Sequence, residues 1–273
     1  MVKLVFVDMD DTFLTSAKEI SAENLRALDL AYEKGVQFVP CTGRNITGIP
    51  AALVEHPCVN YAICCSGTLI RDVRTGELLH EVDVDKGLAL DLYQRVCDLD
   101  ITYDAFADGT IYALADRWHV LDEIVLDEAT RAMVKSLRTT WEGSFGDLLQ
   151  HCGEICRLNV FYKDDAARDA VFAQVDAEPS LRRTSSLPCN IEITPADGHK
   201  GSALLWLCDY LDVDTADTVA FGDSDNDLTM IEAAGDGVAM ANALPRVKDV
   251  ANHIAASCDE SGVGRYVTEL LSR

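Results

Sequence analysis

Apolar positions along this chain fall into two textures. In the first eighty residues, short apolar runs alternate with stretches of helical period. Leu4 to Val7 reads as a buried strand. Ser21 caps a helix in which Leu25, Leu28, Ala31 and Tyr32 recur at helical spacing, and Gly35 ends it. Val36 to Val39 reads as a second strand and Tyr61 to Cys65 as a third. Leu69-Ile70 and Leu78 to Val82 flank a Thr75-Gly76 turn as a hairpin. The same texture returns after residue 198. Lys200-Gly201 opens a helix carrying Leu204, Leu207, Cys208 and Leu211, Thr218 to Phe221 reads as a strand, Gly237 to Met240 follows, and a last helix lies near Arg265 to Leu271. Strands alternating with helices predict an α/β fold, a parallel sheet flanked by helices.

From about Asp83 to about Thr194 the pattern changes. A helix is predicted near Gly87 to Leu99, then a hairpin pairing Ile101 to Ala105 with Thr110 to Leu114 across Asp108-Gly109. Ile155 to Tyr162, a helix near Ala166 to Val175, and Asn190 to Thr194 complete an α+β unit with a largely antiparallel sheet. Pro195-Ala196-Asp197-Gly198 reads as its exit hinge. The expected organisation is a core of residues 1–82 and 196–273, interrupted by an inserted unit at 83–195.

At 273 residues and 48% apolar, the chain suits two ordinary domains. A net charge of −23 argues against nucleic acid and anionic membrane as partners. Apolar runs are far too short for a membrane span, and the N-terminus reaches acid at Asp8, too early for a signal peptide. The ten cysteines form no C-x-x-C and several sit in apolar runs, so reduced, buried thiols and a cytoplasmic location are expected.

The candidate chemistry lies where strands end. The first closes in Val7-Asp8-Met9-Asp10-Asp11-Thr12. Carboxylates this close need an offsetting charge, and a hard divalent cation supplies one. In open α/β sheets, ligands bind beyond the carboxyl ends of the strands. Asp8, Asp10 and Thr42 all fall at such ends and are expected to face one crevice. Lys200 follows the insertion, and Gly222-Asp223-Ser224-Asp225-Asn226-Asp227 follows the later strand.

This order of D-x-D-x-T, Thr42-Gly43-Arg44, His199-Lys200-Gly201 and G-D-x-x-x-D resembles the haloacid dehalogenase (HAD) superfamily. The inserted α+β unit and Gly237 to Ala243 are similar to its Cof-type, αβ-capped (subclass IIB) phosphatases. The resemblance implies a HAD-like Rossmannoid core with an inserted cap, and Mg²⁺-dependent hydrolysis of a small phosphorylated metabolite, such as a sugar phosphate. It implies Asp8 as nucleophile, forming an aspartyl-phosphate, and Asp10 as general acid and then base. Mg²⁺ would be held by Asp8, the Asp10 backbone carbonyl, Asp223 and Asp227, the last ligating or lying just behind the ligands. Thr42, Gly43, Lys200 and Asn226 would serve the phosphoryl group, with Arg44 a candidate for a substrate anion.

Two positions depart from the pattern. Asp11 stands where glycine is usual, so its side chain is expected to point away from the phosphate. Ser66-Gly67 replaces Asn-Gly at the third strand end, leaving Ser66 with fewer donors and acceptors than an amide. In the cap, which should close over the crevice and carry specificity, His119, Arg157, Asn159, Asn190 and Glu192 are candidates. A phosphomutase and a catalytically silent phosphometabolite binder are the alternative functions. Neither a monomer nor a homodimer is indicated.

Overall fold

The computed structural model describes residues 2–272, which divide into two units. One runs through Glu81 and resumes at His199; the other is Val82–Gly198.

The first unit is built on five parallel strands, in the order His253–Ile254, Asp236–Ala239, Thr218–Gly222, Leu4–Val7, Gln37–Pro40. Leu4–Val7 and Thr218–Gly222 are buried throughout, as central parallel strands covered on both faces must be. Ser21 caps the helix Ala22–Glu33 by accepting from the Asn24 N–H. That helix buries Ala27, Leu28 and Ala31 and packs on the C-terminal helix Gly262–Ser272. Leu25 and Tyr32 share its periodicity but are exposed, so the buried stripe is narrower than spacing suggested. The helix Lys200–Tyr210 buries Ala203, Leu204 and Leu207 against Leu4, Phe6 and Ala220.

The third strand is a hybrid. Tyr61–Cys64 joins the sheet edge through a parallel bridge between Cys41 and Ile63. It otherwise pairs antiparallel with Leu69–Asp72, which pairs in turn with Leu78–Glu81. The short 65–68 connection is the reason, because so few residues cannot make a parallel crossover. All ten thiols are free, and all but Cys97 are buried. Among the described residues, no helix is long and apolar enough to cross a membrane.

The second unit is a six-stranded sheet ordered Leu181–Thr184, Asn190–Pro195, Ile155–Phe161, Asp104–Ala107, Thr110–Leu114, Arg138–Trp141. Only the last pair is parallel. Its hairpin is tighter than predicted: Asp104–Ala107 pairs with Thr110–Leu114, and Asp108 and Gly109 form a two-residue turn at φ 53° and 73°. Ile101 bridges Tyr162 instead. Helices Lys86–Val96, Phe145–His151 and Asp165–Asp176 supply Ala89, Leu92, Phe145, Leu148 and Val171 to a core with Leu158, Val160, Ile191 and Ile193. The sequence reading did not identify the helices Val120–Glu123 and Glu128–Ser136; they bury Val120, Leu121 and Val134 in a small separate core with Ile124 and Phe161. Val82 and residues 196–198 fall with this unit, and Pro195 ends a strand rather than opening a hinge.

Candidate active site

The site follows from sheet register. Val7 pairs with Phe221 on one side and Pro40 on the other, so the residues after all three strands emerge together. Asp8 donates its N–H to Phe221 O at 3.0 Å. The chain then makes one wide turn, Phe13 N–H returning to Asp8 O at 3.1 Å, anchored by buried Met9 and Phe13. Within it Asp11 takes a left-handed conformation, φ 58° and ψ 15°, which Asp tolerates better than most residues. Thr12, fully buried, donates from Oγ1 to Asp223 Oδ1 at 2.9 Å and ties the two acidic loops together.

Lys200 organises the carboxylates. It is fully buried at the start of its helix, and its Nζ lies 2.5 Å from Asp8 Oδ1 and 2.6 Å from Asp227 Oδ1. His199, to which the sequence assigned nothing, caps this helix: its Nδ1 accepts the Ser202 N–H at 3.0 Å, and its own N–H reaches Ser202 Oγ. The other oxygen of Asp227 accepts the N–H groups of Asp223 and Ser224, both at 3.0 Å. Gly222 permits this wrap, since a Cβ there would sit 2.4 Å from the Asp227 side chain. Asp227 thus folds the loop and holds Lys200.

Carboxylate oxygens of Asp8, Asp223 and Asp227 lie within 4.8 Å of one another. Burial pushes the Asp8 carboxyl well above its ordinary range against the pull of Lys200, with Asp227 and Asp223 adding to the rise. Burial likewise pushes Asp223 up to about 7, reinforced by the Asp227 charge. Burial alone would lower Lys200, but Asp227 and Asp8 outweigh it and hold the ammonium charged. One buried cation among three carboxylates, Asp8 and Asp227 buried and Asp223 half-buried, leaves the cluster short of positive charge. An all-oxygen donor set with that deficit fits a hard divalent cation.

The Asp10 carboxylate is not part of this cluster. Arg44 grips it in bidentate fashion, Nε to Oδ2 at 2.9 Å and Nη2 to Oδ1 at 2.7 Å, while Nη1 donates to Gly48 O. Lys18 stands 3.3 Å from Asp10 Oδ1. Burial would raise Asp10, but the Arg44 hydrogen bonds and charge, helped by Lys18, hold it below the ordinary carboxylate range. Arg44, a sequence candidate for a substrate anion, therefore faces Asp10 instead.

Thr42 is buried at the end of its strand, and its Oγ1 accepts the Arg44 N–H at 3.1 Å, leaving the hydroxyl proton available. Gly43 beside it is half-buried. Asn226 is buried, with Oδ1 held by Ser224 Oγ at 3.0 Å. Ser66 is buried at φ 63°, its N–H donated to Thr42 O at 2.9 Å. Gly67 next to it passes so close to His199 that a Cβ would stand 2.1 Å from that backbone.

In the second unit, four of the five sequence candidates share one hydrogen-bonded network. Arg157 Nη1 meets Glu192 Oε2 at 3.1 Å, both buried, and its guanidinium lies 3.9 Å over the Phe106 ring. Asn190 Nδ2 donates to Asn159 Oδ1 at 3.1 Å, and Asn159 continues to Asp104 at 3.4 Å. His119 is exposed, with Nδ1 3.1 Å from Asp116 O. Sequence reasoning gave no role to Thr12, although it stands in the acidic motif. It missed Lys18 entirely, because a lysine seven residues past Asp11 reaches it only through a tertiary turn.

A family model of haloacid dehalogenase-like hydrolases matches residues 5–267. The chain is 29% identical to the phosphatase YwpJ of Bacillus subtilis, over 99% of this chain and all of that one. It is 29% identical, over 99% of both chains, to the 5-amino-6-(5-phospho-D-ribitylamino)uracil phosphatase YwtE of the same organism. Among solved structures, a haloacid dehalogenase-like hydrolase from B. subtilis matches with a TM-score of 0.85 at 29% identity, covering 98% of this chain and all of that one.

Proposed function

The chain belongs to the haloacid dehalogenase-like hydrolases, and from that premise we propose that it is a Mg²⁺-dependent phosphomonoesterase working through an aspartyl-phosphate on Asp8. The observation that carries the reading is the buried Lys200, 2.5 Å from Asp8 and 2.6 Å from Asp227, with Asp223 in the same cluster. Asp8 and Asp223 would hold the ion, with Asp227 behind them fixing the loop. Bound there, Mg²⁺ supplies neutralising charge for the carboxylates and the phosphoryl oxygens.

Lys200 engages one oxygen of Asp8 and aims the other. That oxygen attacks phosphorus, and the bond from phosphorus to the substrate alcohol breaks. Asp10 delivers a proton to the departing alkoxide. In the second half, the Asp10 carboxylate takes a proton from water as the water oxygen attacks the aspartyl-phosphate, releasing inorganic phosphate and restoring Asp8. The pair of cations on Asp10 keeps it ionised in the resting enzyme; a phosphate dianion beside it raises its proton affinity, so Asp10 takes up from solvent the proton it gives the alkoxide and returns one to solvent when phosphate leaves. The Thr42 hydroxyl and the Lys200 ammonium donate to the phosphoryl oxygens, as such charge-dispersed transition states require.

The substrate class is a small phosphorylated metabolite with a sugar or polyol carrying the phosphate; the name of the relative YwtE supports this. Phosphate release from a panel of sugar, polyol and nucleotide phosphates, with and without Mg²⁺, tests the proposal. Mg²⁺-dependent release that disappears in Asp8→Asn is expected. Metal-indifferent release, or release retained by Asp8→Asn, refutes it.

A further inference from the structure

Asp11 has no part in this reaction, yet it places a further carboxylate three residues beyond the nucleophile, in left-handed backbone that glycine would adopt freely. An unneutralised acid so close opposes a phosphate dianion. The counter-charge comes from a short hairpin that follows, in which Leu14 bridges Ile20. Its tip is pinned. Thr15 N–H donates to Glu19 O at 2.9 Å and Lys18 N–H to Thr15 O at 2.8 Å. Ser16 donates its N–H and its hydroxyl to Asp259 Oδ1, at 2.9 and 3.0 Å. Lys18, at φ 62°, sends Nζ to both Asp11 oxygens at 3.2 Å each. Because Asp259 tethers the tip, the position of Lys18 does not depend on its ion pairs alone.

We propose that Lys18 is a specificity-determining positioning residue that neutralises Asp11 and so admits an anionic phosphoester to the site. The inference rests on the phosphatase reading and concerns this chain's own departure from glycine. Both side chains are 48% exposed, so the effect is modest. Exposed pairs of this kind correspond to roughly two- to fivefold in an equilibrium, and the effect grows as ionic strength falls.

The test uses four full-length proteins: wild type, Lys18→Met, Asp11→Gly and the double variant. Each is assayed with p-nitrophenyl phosphate and Mg²⁺ at low and physiological salt, and each is titrated calorimetrically with inorganic phosphate. Lys18→Met is expected to raise KM and the phosphate Kd roughly two- to fivefold, with a smaller change in kcat and a larger effect at low salt. In the Asp11→Gly background the same substitution is expected to raise both constants clearly less, the remainder coming from the Lys18 contact with Asp10. An equal rise in both backgrounds overturns the inference, since Lys18 then acts on phosphate directly. A loss confined to kcat overturns it in favour of a role through Asp10, and unchanged constants overturn it outright. A wild type that binds phosphate without releasing it refutes the hydrolytic reading, while the calorimetric arm still decides Lys18. A wild type that neither hydrolyses nor binds phosphate refutes both.

Discussion

Withdrawing Mg²⁺ should make the core less stable as pH rises, the reverse of ordinary acid denaturation. The reason lies in Asp223, whose carboxyl burial and the neighbouring Asp227 push up to about 7 from an ordinary 3.8. A carboxyl raised in the folded state keeps its proton while the unfolded chain has already released it. Its stabilising contribution is complete below the unfolded value and is lost as pH climbs through the folded one. A rise of about three units at ~1.4 kcal/mol per unit gives about 4 kcal/mol lost between roughly pH 4 and pH 8. Asp8, raised by burial in the same direction, adds to the loss. Asp10 works the other way, but it is held low, so its contribution disappears only in acid below this window. For a domain of this size about 4 kcal/mol is on the order of 10 °C in Tm. The assay is thermal unfolding across pH 4.5 to 8, in chelator and in saturating Mg²⁺. Expected is a falling Tm in chelator and a gain from Mg²⁺ that grows with pH, because the metal requires deprotonated ligands. Asp223→Asn should flatten the curve and abolish the Mg²⁺ gain. A pH-independent Tm in chelator, or no Mg²⁺ gain at pH 8, would refute the reasoning.

Three further outcomes follow from the same geometry. Lys200→Met leaves Asp8 and Asp227 buried without their cation; it should destabilise the metal-free protein by about 3–5 kcal/mol at pH 8 and eliminate turnover, and a stable, active variant in denaturation and phosphate-release assays would contradict the ion-pair assignment. Arg44→Met removes the fork that holds Asp10 low, so Asp10 keeps the proton it gives the leaving alkoxide to higher pH and the alkaline limb of the kcat/KM profile should move up; an unmoved limb would show that Arg44 does not set Asp10's protonation. Gly222→Ala places a Cβ where the Asp227 side chain lies, and should loosen the loop and weaken Mg²⁺ binding in a metal titration; unchanged affinity would count against the loop's role.

Much of the site was legible because its residues sit at strand ends. An apolar run that stops in acid can be recognised in one dimension, and parallel register then brings Asp8, Thr42 and Asp223 together without further information. Lys200 was legible as a basic residue opening a helix after an insertion. The hairpin at Asp108-Gly109 was legible from its turn residues, though its register slipped because Ile101 found a partner in Tyr162. The helix Glu128–Ser136 was passed over, although its polar and apolar positions separate at helical period and Asp127 caps it by accepting the Thr130 N–H.

Sequence by itself determined the strand–helix alternation, the insertion and the acidic constellation, since these depend on local preference and on which residues must leave water. Tertiary structure alone decided how the charges are partnered. Arg44 turned from a substrate anion to Asp10, Thr12 bridged to Asp223, and Lys18 came to cover Asp11. A charged side chain takes whichever opposite charge the fold brings within a few ångströms, and Coulomb energy depends on that separation in space rather than along the chain.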